Sequence, residues 1–145
     1  MRTLRQNGFS LMELMITIVI IGILTAFAYP SYQEHLRKTR RAECQGVMTS
    51  AATALERRRA VRGTYAPAAP SDPALPTEFQ TCPRTTSGTI YYTVALTMPP
   101  TSASFTLTAT AQGAQANDKC KNLTLTDTGI KGMSASGVPI EDCWH

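Results

Sequence analysis

Residues Gly8 to Tyr29 read GFSLMELMITIVIIGILTAFAY, an apolar run broken by a single carboxylate at Glu13. A run of this kind must be covered by lipid or by other helices, and that requirement constrains the rest of the chain. A bare carboxylate in hydrocarbon is costly, so an acid placed there marks a functional position and needs a named partner. The nearest candidate is an amine created by cutting the chain after Gly8. From Leu14 to Tyr29 the run is 16 residues, extended by Phe9, Leu11 and Met12, which is the short end of what spans a bilayer. A marginal span suits a segment that later leaves the membrane. Signal-peptide cleavage after TAFA, Thr25 to Ala28, would discard Glu13 and leave its placement unexplained, so the helix is retained in the mature chain.

With 145 residues there is room for one globular domain beside the membrane segment. The net charge of +4 includes Arg2 and Arg5; a cut after Gly8 leaves 12 basic and 10 acidic side chains, or +2. Basic residues gather at Arg37, Lys38, Arg40 and Arg41 and again at Arg57, Arg58, Arg59 and Arg62. The first cluster opposes export of the domain by the positive-inside rule. Four cysteines argue for export, because disulfides persist outside the cytoplasm. No cysteine pair has CxxC spacing and only two histidines exist, so zinc does not fit. Near His35 and His145 the sequence shows no nucleophile and no convincing catalytic acid, and no GxSxG motif occurs. Neither an enzyme nor a cofactor or metal site is expected.

From Phe9 to about Ala60 Pro30 is the one strong breaker. Cys44, Val47, Met48, Ala51, Leu55 and Arg58 fall at helical spacing, with Glu43, Gln45, Thr49, Thr53 and Glu56 off that stripe. A helix over these positions reaches about 78 Å at the usual rise, so its first half is expected to extend beyond the domain. Pro30 predicts a bend near Ala26 to Pro30, with Gly22 a second soft point. Residues 61 to 88 are rich in Pro, Ala, Ser and Thr and read as an irregular connection. Alternation then predicts strands over Thr89–Thr97, Ala103–Ala111 and Lys121–Thr126, with a short fourth near Ile130–Met133. Ile90, Tyr92, Val94 and Leu96 share one face of the first strand. One buried face of an antiparallel sheet, covered by the helix stripe, makes an α+β domain.

The basic leader, Gly8, Phe9, Glu13, the apolar helix and Pro30 together resemble the amino-terminal signature of type IV pilins. The resemblance implies a leader at 1–8, removed by a prepilin peptidase that also methylates Phe9, and a membrane and filament-core helix at 9–29. It further implies an amphipathic helix half at 30–60, a connecting loop at 61–88 and a sheet with D-region at 89–145. Glu13 would pair with the Phe9 amine of a neighbouring subunit, and the region around Pro30 can lose helicity on assembly. Partners implied are major and minor pilin subunits, the peptidase, an inner-membrane assembly platform and, before assembly, the lipid bilayer. The domain would be periplasmic first and extracellular in the pilus.

Four cysteines allow three pairings, and their spacing alone selects none. Cys120 and Cys143, bracketing Gly129, Gly132 and Gly137, resemble the ends of the disulfide-bounded pilin D-region. Cys44, on the sheet-facing stripe, would staple the connecting loop through Cys82. Gly63-Thr64-Tyr65 after the helix, Asp118-Lys119-Cys120 before LTLTDTG, and the terminal Cys143-Trp144 look most like a minor pilin of the PilE type, priming or joining a pilus that supports twitching motility and adhesion. A major pilin, a DNA-binding competence pilin and a type II secretion pseudopilin are the alternatives. Asp118, Asp127, Glu141 and Asp142 match no EF-hand spacing and read as a solvated surface. Arg37, Lys38, Arg40 and Arg41 read as a helix face for neighbouring subunits, with DNA a lesser expectation because no aromatic platform or basic groove is visible.

Overall fold

A computed structural model describes residues 9–84, 88–97 and 103–144. Gly8, with Arg2, Arg5 and His145, lies outside the described residues. The chain divides into two compact units, the first ending at Leu36 and the second beginning at Arg37.

Helix α1 runs over Leu11–Arg62, 52 residues, and belongs to both units. The Ser10 carbonyl accepts from the amides of Glu13 and Leu14 and opens it. Helix continues through Pro30, although that residue has no amide to donate to the carbonyl four positions back. It stops at Gly63, whose φ of +73° is a conformation that a side chain disfavours. The Gly63 amide donates to the Arg59 carbonyl at 2.7 Å and closes the last turn.

In the first unit every residue from Phe9 to Tyr32 is exposed. This is the one helix among the described residues that is long and apolar enough to cross a membrane. Thr17 and Thr25 turn their hydroxyls back to the carbonyls of Glu13 and Ile21 at 2.6 and 2.7 Å. Both polar groups are thereby satisfied within the helix, and the outward face stays apolar.

The second unit is a five-stranded antiparallel meander in the order β1-β2-β3-β4-β5. The strands are β1 Thr81–Cys82, β2 Tyr92–Thr97, β3 Thr106–Ala111, β4 Leu123–Thr126 and β5 Lys131–Met133. Alternation sends Tyr92, Val94, Leu107, Ala109, Leu123 and Leu125 into the core and threonines to the other face. Cys44, Val47, Met48, Ala51 and Leu55 of α1 are buried in the same core. Tyr65 joins them, its ring meeting Phe105 edge to face at 4.8 Å.

The structure corrects the sequence expectations in particular places. Strand β1, two residues inside the connecting segment, raises the sheet from three or four strands to five. Ile90 stands before β2 and is exposed, so it does not share that strand's buried face. Gln45, off the apolar stripe, is buried because its Nε2 donates to the Cys143 carbonyl at 2.6 Å.

The disulfides are Cys44–Cys82 and Cys120–Cys143. With sequence separations of 38 and 23, each contributes about 3 to 4 kcal/mol in the chain-entropy account. For a sheet with one buried face that is a large share of stability. Gly132 permits the close approach of β4 and β5, since a Cβ there would lie 2.5 Å from the Thr124 hydroxyl. Its carbonyl accepts from the Trp144 indole at 2.8 Å, which ties the chain end to the edge strand.

Candidate functional site

Three groups of residues carry chemistry, and they differ in how far the fold commits them. The first is the N-terminal segment. Phe9 is 78% exposed, and Glu13 lies exposed in the first turn of α1. Around them Leu11, Met12, Leu14, Met15 and Ile16 are each more than half exposed. An apolar surface of this extent marks a segment whose partners are lipid or other chains. Pro30 belongs to the same exposed stretch.

The second group is a buried polar network that sequence reasoning missed. The Arg41 guanidinium donates to Asp118, and both side chains are almost wholly buried, at 1% and 0% exposure. Gln115 lies beside them, its Nε2 donating to the Tyr92 hydroxyl at 3.0 Å and to the Arg37 carbonyl at 3.2 Å. The network ties α1 to the segment entering Cys120. Two expectations are thereby corrected. Arg41 does not belong to an exposed cationic patch, and Asp118 does not belong to a solvated acidic surface. The physical reason is mutual: each charge is buried because the other neutralises it.

Burial pushes the Tyr92 phenol up to about 12, the neighbouring Gln115 hydrogen bond acting against that rise. An unfolded tyrosine ionises near about 10, so above that pH the unfolded chain releases a proton that the folded chain keeps. Stability present below about pH 10 therefore falls as pH climbs toward about 12. Thermal unfolding across this range is expected to show the fall, with Tyr92→Phe flattening part of it. An equal slope in the Phe variant contradicts the assignment.

The third group is the remaining surface cations. Residues 37 to 145 carry twelve basic and eight acidic side chains, a net +4, although the mature chain as a whole would carry +2. Several of these cations have internal work. Arg58 donates to the carbonyls of Ala74 and Tyr65 at 2.7 and 3.2 Å. Arg59 donates to the Tyr65 hydroxyl at 2.9 Å, and that hydroxyl donates to Glu56 at 2.6 Å. Lys119 lies 3.5 Å from Asp142, and Lys131 lies over the Trp144 ring at 5.5 Å. Lys38 is exposed and Arg37 half-buried. Arg40 sits 4.1 Å from the centre of the Tyr91 ring and Arg84 sits 4.7 Å from that of Phe79. Phe79 is buried and each ring is covered by its guanidinium, so neither offers an open face for stacking a base. No group of three or more metal-binding side chains occurs among the described residues.

Comparison with known proteins adds to this geometry. Residues 30–124 match the family described as type IV minor pilin ComP, DNA uptake sequence receptor, and residues 3–29 match the prokaryotic N-terminal methylation motif. Over 51 residues the chain is 45% identical to a type IV major alpha-pilin of Moraxella bovis, covering 35% of this chain and 32% of that protein. Over 34 residues it is 62% identical to fimbrial protein EcpB of Eikenella corrodens, covering 23% and 21%. The chain thus spans a third or less of the length of these curated relatives. A solved type IV pilin from Shewanella oneidensis is similar with a TM-score of 0.52 at 27% identity, over 75% of this chain and 98% of that one.

Proposed function

Because the chain belongs to the type IV pilins, and within them to the ComP minor-pilin family, we propose that it is a filament subunit whose cationic domain receives DNA. The observation that carries this reading is the coexistence of a wholly exposed apolar helical segment, Phe9 to Tyr32, with a domain of net +4. The helix supports membrane storage and then filament entry. The domain's charge suits a polyanion, since phosphate neutralisation supplies most non-specific nucleic-acid affinity.

In this account a prepilin peptidase cuts after Gly8 and methylates Phe9. The domain waits on the periplasmic side, and an assembly platform draws the helix from the bilayer into the fibre. Glu13 takes the amine of a neighbouring Phe9 as its partner, which fixes axial register because a slipped neighbour leaves a buried charge unpaired. Priming of assembly, with twitching motility and adhesion, is the second reading. It is favoured by the identity with fimbrial proteins, which covers about a third of the chain. The DNA reading is favoured by a family match over residues 30–124. It therefore rests on the folded domain.

The test is duplex binding by the processed full chain in detergent, followed by fluorescence anisotropy as salt is raised from about 50 to about 200 mM. A log–log fall of affinity with salt is the expected result. No binding at the lowest salt would remove the DNA role and leave the assembly role.

A further inference from the structure

Tyr29 and Tyr32 stand at the end of the exposed apolar segment, at 62% and 61% exposure. Their i, i+3 spacing on α1 sets them side by side on one face of the helix. With Leu24, Thr25 and Ala28 they line a groove of about 390 Å³. Its floor is apolar in character, because the Thr25 hydroxyl is committed to the Ile21 carbonyl at 2.7 Å. Two phenols therefore rise beside a strip of small and aliphatic side chains. An apolar body with a polar tip suits a place where lipid chains give way to water.

The length of the helix gives that place a position. Helix continues unbroken through Pro30, so axial distance follows from residue count. At 1.5 Å per residue, Tyr29 lies about 27 Å and Tyr32 about 32 Å from Leu11. These values bracket the hydrocarbon core of a bilayer, roughly 30 Å. Beyond Tyr32 come Gln33, Glu34 and His35, the first consecutive polar side chains after the apolar run. A tyrosine at this boundary keeps its ring among lipid chains and its hydroxyl among ester and headgroup oxygens, where aromatic side chains concentrate. With both tyrosines there, Leu11 meets the opposite boundary and Phe9 lies outside it. Glu13 is then only about 3 Å inside, within reach of headgroup water, and avoids the cost of a carboxylate at the bilayer centre.

We propose that Tyr29 and Tyr32, with the groove over Thr25 and Ala28, are an interfacial lipid anchor. They seat phospholipid at the periplasmic boundary and so hold the precursor at the depth where the bond before Phe9 is presented at the opposite face. The proposal rests on the reading that the chain is stored in the membrane and cut after Gly8, and it adds what sets the depth of the cut. Both tyrosines are positioning residues. They touch lipid, while the peptidase meets the chain a bilayer core away, about 30 Å.

The experiment follows cleavage of the full-length precursor by prepilin peptidase in phosphatidylethanolamine and phosphatidylglycerol vesicles of graded acyl-chain length. The unsubstituted chain is compared with Tyr29→Leu/Tyr32→Leu, Tyr29→Trp/Tyr32→Trp and Phe27→Leu. The unsubstituted chain is expected to be cut fastest where the hydrocarbon core is about 30 Å thick, since mismatch in either direction displaces the bond. Leucine at both positions carries the apolar run to Gln33, so the optimum is expected to shift toward bilayers thicker by about 3 to 6 Å at 1.5 Å per residue. Tryptophan retains the interfacial preference and is expected to keep the original optimum. Phe27→Leu is expected to keep it too, because Phe27 does not line the groove. In detergent micelles, which impose no fixed thickness, all four chains are expected to be cut alike. A leucine pair cut slowly in micelles as well would place its defect in peptidase recognition and overturn the anchor. An unshifted optimum in the leucine pair also overturns it and leaves storage and cleavage standing; poor filament entry by that pair would then assign the rings to neighbouring subunits. No cleavage of the unsubstituted chain in vesicles or micelles overturns both readings.

Discussion

Asp118→Ala is expected to cost the domain about 3 to 5 kcal/mol, the usual penalty for stranding one member of a buried ion pair. The Arg41 guanidinium would keep its place at about 1% exposure with the buried Asp118 carboxylate removed from beside it. For a domain of this size the loss lowers the melting temperature by roughly 15 °C or more. The same substitution loosens the segment entering Cys120, because Gln115, Tyr92 and the Arg37 carbonyl belong to one hydrogen-bonded network. Replacing both charges, as in Arg41→Met/Asp118→Leu, is expected to recover most of the stability, since a well-packed apolar pair removes the stranded charge. Near-UV circular dichroism of the oxidised chain measures both. A shift of less than about 1 kcal/mol for Asp118→Ala would show that the charge is relieved by solvent.

Glu13→Ala is expected to leave processing intact and to reduce the chain's share of sheared filaments about a hundredfold or more. The estimate follows from leaving a neighbour's Phe9 ammonium unpaired in a low-dielectric bundle, a penalty of about 3 kcal/mol or more, with each 1.4 kcal/mol worth about a factor of ten. The readout is the ratio of this chain in sheared fibres to that left in membranes. Glu13→Asp retains the charge and is expected to recover part of the incorporation. Equal incorporation of Glu13→Ala and the unsubstituted chain would end the register role.

Elements built from local periodicity were legible in the sequence. The stripe from Cys44 to Leu55 is buried as its spacing implies, and alternation over Tyr92–Thr97, Thr106–Ala111 and Leu123–Thr126 corresponds to strands. What was not legible depends on partners far along the chain. Arg41 reads as surface until Asp118, 77 positions away, is placed beside it. Strand β1 has two residues in a proline-rich connection and exists through its pairing of Thr81 with Thr93 and Cys82 with Tyr92. No propensity window detects a strand held that way.

The same limit shaped the reading of the surface. Four basic residues in sequence on α1 looked like one patch, but a helix turns them to different sides. Arg41 goes inward while Arg40 meets Tyr91, 51 positions on. The seat of Arg40 on Tyr91 is a contact between α1 and the residue preceding β2, which neither composition nor spacing announces. By contrast, the expectation for Glu13 comes from the sequence alone, because a single acid in an apolar run is expensive wherever the run is buried.

The account stands most directly on the state of the chain's amino terminus inside fibres. Filaments sheared from cells, freed of membrane and analysed by intact mass before and after reduction, give that state in one measurement. The predicted result is a chain beginning at N-methylated Phe9, heavier by the hydrogens of two disulfides after reduction. A chain recovered only from membranes, beginning at Met1 or after Ala28, would contradict filament entry and the pairing of Glu13 with it.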